Sequence, residues 1–239
     1  MVIFLLMAGY FFKDHLLHAE DQVIHGPYTI SERLQEYGNT VDTRLAPDFL
    51  HANVSYPPAK MTLVILKKER RVELYAGNGD QPQRYIRSYP ILAASGHLGP
   101  KLRQGDGQVP EGVYQVESLN PNSSYHLALH VNYPNTFDRQ KAKLEGRTDP
   151  GGDIMIHGSN VSIGCVALGD SAAEDAFVLS AKVGLPNVRL LFCPYDLRTG
   201  EEASLPSGLP SWTSELYANL RNELSTLPEP PPSDAVPAT

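Results

Sequence analysis

What most constrains the fold of this chain is the repeated alternation of short apolar runs with glycine- and proline-rich breaks. Thr62-Leu-Val-Ile-Leu-Lys67, Val72-Glu-Leu-Tyr75, Ile154-Met-Ile156 and Val188-Arg-Leu-Leu-Phe192 are too short for ordinary globular helices and rich in β-branched and aromatic residues. The charged tetrapeptide Lys68-Glu-Arg-Arg71 between the first two predicts a hairpin. Arg84 to Ala93 and Gly112 to Glu117 read as further strands, and Leu119 to Ser124, rich in Asn, Pro and Ser, as a turn. Tyr125 to Val131 follows as a strand with Leu127, Leu129 and Val131 on one face and His126, Ala128 and His130 on the other. The pattern predicts a mainly β domain with peripheral helices.

Helical periodicity is confined to the flanks and a few insertions. Ile30, Leu34 and Tyr37, with Ser31 as cap, predict a short helix ended by Gly38 and Asn39; Val41, Leu45, Phe49 and Leu50 predict a second one, bent at Pro47. Together residues 27–58 read as a helical collar ahead of a catalytic unit spanning 59–196. Tyr133 to Arg139 reads as a loop bordering the cleft and Gln140 to Gly146 as helical or mobile. Asp170 is the expected N-cap of a helix with Glu174 and Asp175 in its first turn, ended by Gly184. Residues 197–239 form an acidic, proline-rich tail in which Trp212 to Leu224 can make one amphipathic helix, with disorder expected from Leu227 onward. Met1 to Phe12 is almost wholly apolar but shorter than the roughly 20 residues a membrane span takes. It reads as the remnant of an export signal or anchor.

Composition removes several functional classes. The formal charge of −7 leaves no basic stripe to displace phosphate counterions, so nucleic-acid binding is not expected. Two cysteines, Cys165 and Cys193, allow neither a disulfide scaffold nor a four-thiolate zinc site, although the two could pair with each other. His126, His130 and His157 lack an acidic partner at regular ligand spacing, so no metal is assigned. Gly105-Asp106-Gly107 lacks the lysine of a phosphate-cradling loop and reads as a tight turn.

The chemistry concentrates in Ile154-Met-Ile-His-Gly-Ser-Asn-Val-Ser-Ile-Gly-Cys165. A thiol attacks a carbonyl only as thiolate, so a catalytic Cys165 needs a nearby base, and His157 at the end of an apolar strand is the nearest candidate. Gly164 permits a backbone conformation in which amides near the cysteine face a developing oxyanion, and the Ser162 hydroxyl can meet substrate or orient the imidazole. Taken alone, a cysteine among apolar residues is more often buried filler than a nucleophile. Lys101 and Arg103 could meet a substrate carboxylate, or be ordinary solvated loop cations.

His157-Gly158 followed by Ser162-Ile-Gly-Cys165 resembles the active-site signature of the YkuD-type L,D-transpeptidases, and its short spacing resembles the YafK-like branch. The runs Gly99 to Tyr114 and Asn120 to Asn135 carry the same resemblance, which covers roughly residues 45 to 196. It implies a β-sandwich-like catalytic domain with a cleft beside the cysteine strand. Cys165 would then be nucleophile, His157 general base, and Gly158, Ser162 and Gly164 oxyanion or orienting residues. Tyr133, His126, Lys101 and Arg103 are assigned to substrate binding. The implied activity is acyl transfer on diaminopimelate-containing peptidoglycan stem peptides, in cell-wall biogenesis, at the periplasmic or envelope side, without cofactor. Hydrolytic release of wall-linked protein, such as a lipoprotein, is the YafK-like alternative, and a noncatalytic wall-binding module the rival. Ile163 and Ala167 stand where most of the family carries histidine and arginine, so those contacts do not transfer.

Overall fold

A computed structural model describes residues 26–200 and 204–231. The apolar run 1–12 and the end of the proline-rich tail lie outside them. The described elements are α1 (Ile30–His51), β1 (Lys60–Leu66), β2 (Arg71–Gly77), β3 (Arg84–Pro90), β4 (Ala93–Ala94), β5 (Gly112–Ser123), β6 (His126–Val131), α2 (Thr136–Leu144), β7 (Met155–His157), β8 (Val166–Ala167), α3 (Asp170–Val183), β9 (Val188–Cys193) and α4 (Thr213–Leu224). The chain is mainly β with peripheral helices, as expected.

The strands form one nine-stranded sheet in the order β3-β2-β1-β9-β5-β6-β7-β8-β4. The hairpin β1–β2 pairs Leu66 with Arg71 at its turn, as the charged break predicts. β9 enters between β1, to which it runs parallel, and β5, to which it runs antiparallel. Apart from Lys60 and Arg189, both faces of β1 and β9 are buried, which is why their sequences are largely apolar without strict alternation. Met61, Leu63, Ile65, Leu190 and Phe192 face the main core, which draws residues from both halves of the sheet and from α1 and α3. Val64, Leu66, Leu191 and Cys193 face a second core closed by Leu216, Tyr217, Leu220, Leu224 and Leu227 of α4 and its end. That helix therefore covers the sheet's other side, and Leu227, where disorder was expected to begin, is packed.

Four further expectations are corrected. α1 is one helix of 22 residues that runs through Gly38, Asn39 and Pro47. Its buried stripe of Val41, Leu45 and Phe49 outweighs the local breakers. Its cap is Thr29, in a reciprocal box with Glu32, and not Ser31. Leu119 to Ser123 stays in β5, with pairing irregularities against β6 at Val116/Ser118 and Asn120/Ser123. The polar side chains there serve as anchors: Asn122 bonds the Tyr28 backbone in both directions, and the Pro121 carbonyl accepts from Arg33. Residues 136–139, read as loop, open α2 behind an Asn135/Asp138 capping box.

Candidate active site

The register of four short strands assembles the site. β6 sets Ala128 against His157 and His130 against Met155. Parallel β8 sets Ala167 against His157, and β4 sets Ala93 against Ala167. Side chains alternate, so Ile156 and Val166 point into the main core while Met155, His157 and Ala167 share the opposite face. One residue before β8, Cys165 accepts the Met155 N–H on its sulfur at 3.4 Å, which places the thiol beside that face. The small residues Ala128 and Ala167 pair with His157 from either side, with Ala93 next to Ala167, and both pairing partners are fully buried.

His157 is buried and its tautomer is fixed. Nδ1 lies 2.7 Å from the Gly158 carbonyl, which can only accept, so Nδ1 carries the proton and Nε2 keeps the lone pair. Burial holds its pKa below the usual histidine value, which keeps the ring neutral and basic near pH 7. The Tyr125 ring lies over it at 4.9 Å between centroids. Gly158 can be nothing larger: a Cβ would stand 2.8 Å from the Tyr125 carbonyl and 2.6 Å from Asp170 Oδ1. Asp170 is the first residue of α3, capped by Gly169, and its carboxylate accepts the Ser159 N–H at 2.7 Å; it ties down the loop after the imidazole where an N-cap was expected.

The thiol is free, since Cys193 lies in the second core and neither cysteine is bridged. Cys165 Sγ donates to the Asp153 carbonyl at 3.7 Å. Burial, reinforced by the Asp153 charge, pushes its pKa up, against the Met155 N–H and the Lys101 charge. Among the described residues no hydrogen bond joins thiol and imidazole; the resting pair is neutral on both sides. The Ser162 hydroxyl accepts the Cys165 N–H at 3.0 Å and donates to the Cys165 carbonyl at 2.6 Å, so it staples the turn. Gly164 has φ of +85° and donates its N–H to Ser95 Oγ at 2.6 Å. Three non-glycine residues with positive φ, His126, Asp153 and Ser159, lie at or near the ends of β6 and β7.

Residues 60–184 match the YkuD L,D-transpeptidase catalytic domain. The chain belongs to that family. Over 136 residues it is 41% identical to the L,D-transpeptidase YafK of Escherichia coli (strain K12), covering 55% of this chain and 52% of that protein. The chain thus spans about half the length of the curated relatives it matches. Solved structures similar to it include the helical cell shape determining protein Pgp2 from Campylobacter jejuni, with TM-score 0.47, 25% identity, and coverage of 57% of this chain and 48% of that one. Bd1075 of Bdellovibrio bacteriovorus follows at TM-score 0.42 and 22% identity, covering 72% and 56%.

Within this L,D-transpeptidase domain the other sequence-selected residues are placed unevenly. Lys101 is buried, paired with Asp106 Oδ1 at 2.5 Å, and donates to the Arg103 carbonyl, so it is no solvated loop cation. Asp106 also accepts the amides of Leu102, Arg103 and Gln108, which makes the Gly105–Gly107 turn rigid. The Arg103 side chain is exposed. Tyr133 is buried and its hydroxyl lies between the carbonyls of Lys101 and Pro150, so it supports the loops. His126 meets Glu174 at 3.2 Å and the Tyr37 ring. Ile163 is 87% exposed on the loop before the cysteine, whereas Ala167 is fully buried, where an arginine has no room. Ser95 was not foreseen, because a two-residue strand leaves no periodic trace in a sequence.

Proposed function

We propose that this chain carries out cysteine-dependent acyl transfer on diaminopimelate-containing peptidoglycan stem peptides. The observation that supports it most directly is the His157 tautomer: a ring whose Nδ1–H is spent on the Gly158 carbonyl offers Nε2 as base on the face that also carries Cys165. In the first half-reaction Nε2 takes the thiol proton while Sγ bonds to the substrate carbonyl carbon. The tetrahedral intermediate collapses with cleavage of the C–N bond, and the imidazolium returns the proton to the leaving amine. The thioester then passes its acyl group to an acceptor amine, which regenerates the thiol and forms a cross-link. Water as acceptor gives hydrolysis from the same acyl-enzyme, and release of wall-linked protein belongs to that branch. The neutral resting pair suits this scheme, because substrate entry need only bring sulfur and Nε2 together, with no ion pair to break.

The test is to incubate purified muropeptides with the protein and with its Cys165→Ala and His157→Gln variants and to read the products by mass spectrometry. New or lost peptide bonds with the unmodified protein and none with either variant are expected. Equal turnover by Cys165→Ala would exclude thiol chemistry, and stoichiometric binding without any product would favour a wall-binding module. The site then works on the envelope side of the cytoplasmic membrane. Among the described residues no helix is long and apolar enough to cross a membrane.

A further inference from the structure

Both amides that a tetrahedral intermediate at Cys165 would use are already engaged by serine oxygens. The Cys165 N–H goes to Ser162, within its own turn. The Gly164 N–H goes to Ser95, which is 69 residues away in sequence and belongs to the edge of the sheet. The β4–β8 register pairs Ala93 with Ala167 and Ala94 with Val166, so its next step sets Ser95 beside Cys165. Ser95 Oγ in turn donates to the Gly107 carbonyl at 2.6 Å. That carbonyl is held on a rigid turn, since Asp106 is fixed by Lys101 and three amides, and Gln108 clamps His97 and Gly99. An oxygen atom 2.6 Å from the Gly164 nitrogen stands where that amide would receive an oxyanion, for which donor distances near 2.7–3.1 Å are typical.

We propose that Ser95 is a latch on the oxyanion site: its hydroxyl fills the Gly164 amide in the resting enzyme and must swing away before that amide can stabilise the intermediate. It is a positioning residue, acting through the Gly164 peptide. Serine suits the task because its single γ-oxygen changes rotamer freely, whereas a β-branched threonine in the same place would keep the bond and resist rotation. Ser162 cannot be the latch in the same sense, because it bonds both the N–H and the carbonyl of one residue and so defines the turn itself.

This inference rests on the acyl-transfer reading and is tested with two probes that differ only in whether an oxyanion forms. With p-nitrophenyl acetate, Sγ bonds to the acetyl carbon, p-nitrophenolate leaves and the thiol proton passes to His157. With iodoacetamide, Sγ displaces iodide and no oxyanion arises. Rates are measured for the full chain and its Ser95→Ala and Ser95→Thr variants, with peptide mapping to confirm labelling at Cys165. Ser95→Ala is expected to acylate about fivefold faster, the factor one neutral hydrogen bond is worth, and Ser95→Thr several-fold slower, with alkylation unchanged in both. Slower acylation of Ser95→Ala at unchanged alkylation would make the hydroxyl a contributor and overturn the latch. A parallel fall in both reactions of Ser95→Ala would show a structural role and overturn it equally, as would two variants indistinguishable from wild type. If the unmodified chain is not acylated at Cys165 at all, the acyl-transfer reading itself has failed.

Discussion

Replacing Glu111 by glutamine should unfold much of what holds the site, and the cost can be worked out from its surroundings. The Glu111 side chain is fully buried. Oε1 accepts from Lys67 Nζ at 2.8 Å and from the Gly99 N–H at 2.7 Å, and Oε2 accepts from the Tyr217 hydroxyl at 2.7 Å. Lys67 spends its other two donors on the carbonyls of Gly99 and Val109, so pair and loop form one satisfied unit that joins β1, the turn behind Ser95 and α4. The glutamine amide keeps one acceptor, presents N–H groups to donors, and leaves the ammonium without a counter-charge. Burial already pulls the pKa of Lys67 down, and apart from Glu111 only the more distant Asp106 charge opposes that pull. Breaking a buried pair by removing one partner costs about 3–5 kcal/mol, out of a total domain stability of about 5–15 kcal/mol. With a urea slope near 2 kcal/mol/M the unfolding midpoint should fall by about 1.5–2.5 M. The same titration on Lys67→Met and on the double variant completes a cycle, in which the double loss should undercut the sum by at least about 1 kcal/mol. A Glu111→Gln loss under about 1 kcal/mol, or simple additivity, would refute the reasoning.

Other expectations follow from the same geometry. Because burial raises the Cys165 pKa above its ordinary value of 9.0, iodoacetamide labelling should climb about tenfold per pH unit between pH 6 and 8; a plateau there would reveal a thiolate–imidazolium pair instead. Acyl transfer should keep its rate down to below pH 6.5, since His157 loses its base form only under its depressed pKa. Burial lifts Asp138 to about 6. A raised carboxyl pKa means the folded state holds the proton more tightly, so stability from this group falls as pH rises from 3.8 to about 6, by about 3 kcal/mol at most. Comparing urea midpoints over that range, Asp138→Asn should lose that slope. Gly158→Ala should destabilise by about 1–3 kcal/mol, because the new methyl meets the Tyr125 carbonyl, and should cut turnover beyond the loss of folded protein by displacing His157; full activity in a thermal-melt-matched sample would contradict this.

Much of the architecture was legible because strand period and burial agree. Leu127, Leu129 and Val131 all point to the core as alternation required, and the largely apolar runs of β1 and β9 contribute to cores on both faces. Chemistry and spacing pointed to His157 and Cys165, and the strand register brings both to the same region of the sheet without a hydrogen bond between them. What stayed hidden depended on partners distant in sequence. Gly38 and Pro47 read as breaks because local propensity cannot see the core that α1 covers. Lys101 looked like a surface cation, since nothing nearby announces that Asp106 folds back to enclose it. Ser95 had no signal at all, as its importance arises only from a register set by β8.

The placement of β9 has a bearing on how the chain must be made. The strand that fills the gap between β1 and β5 is the last of the nine to leave the ribosome, and the stretch shared with the family, residues 60–184, ends before it begins. A nascent or truncated chain that stops there carries two open strand edges in its middle, the kind of surface that recruits other chains. Expression of this catalytic unit therefore has to run past Cys193, and through α4 if the second face is to be sealed from water.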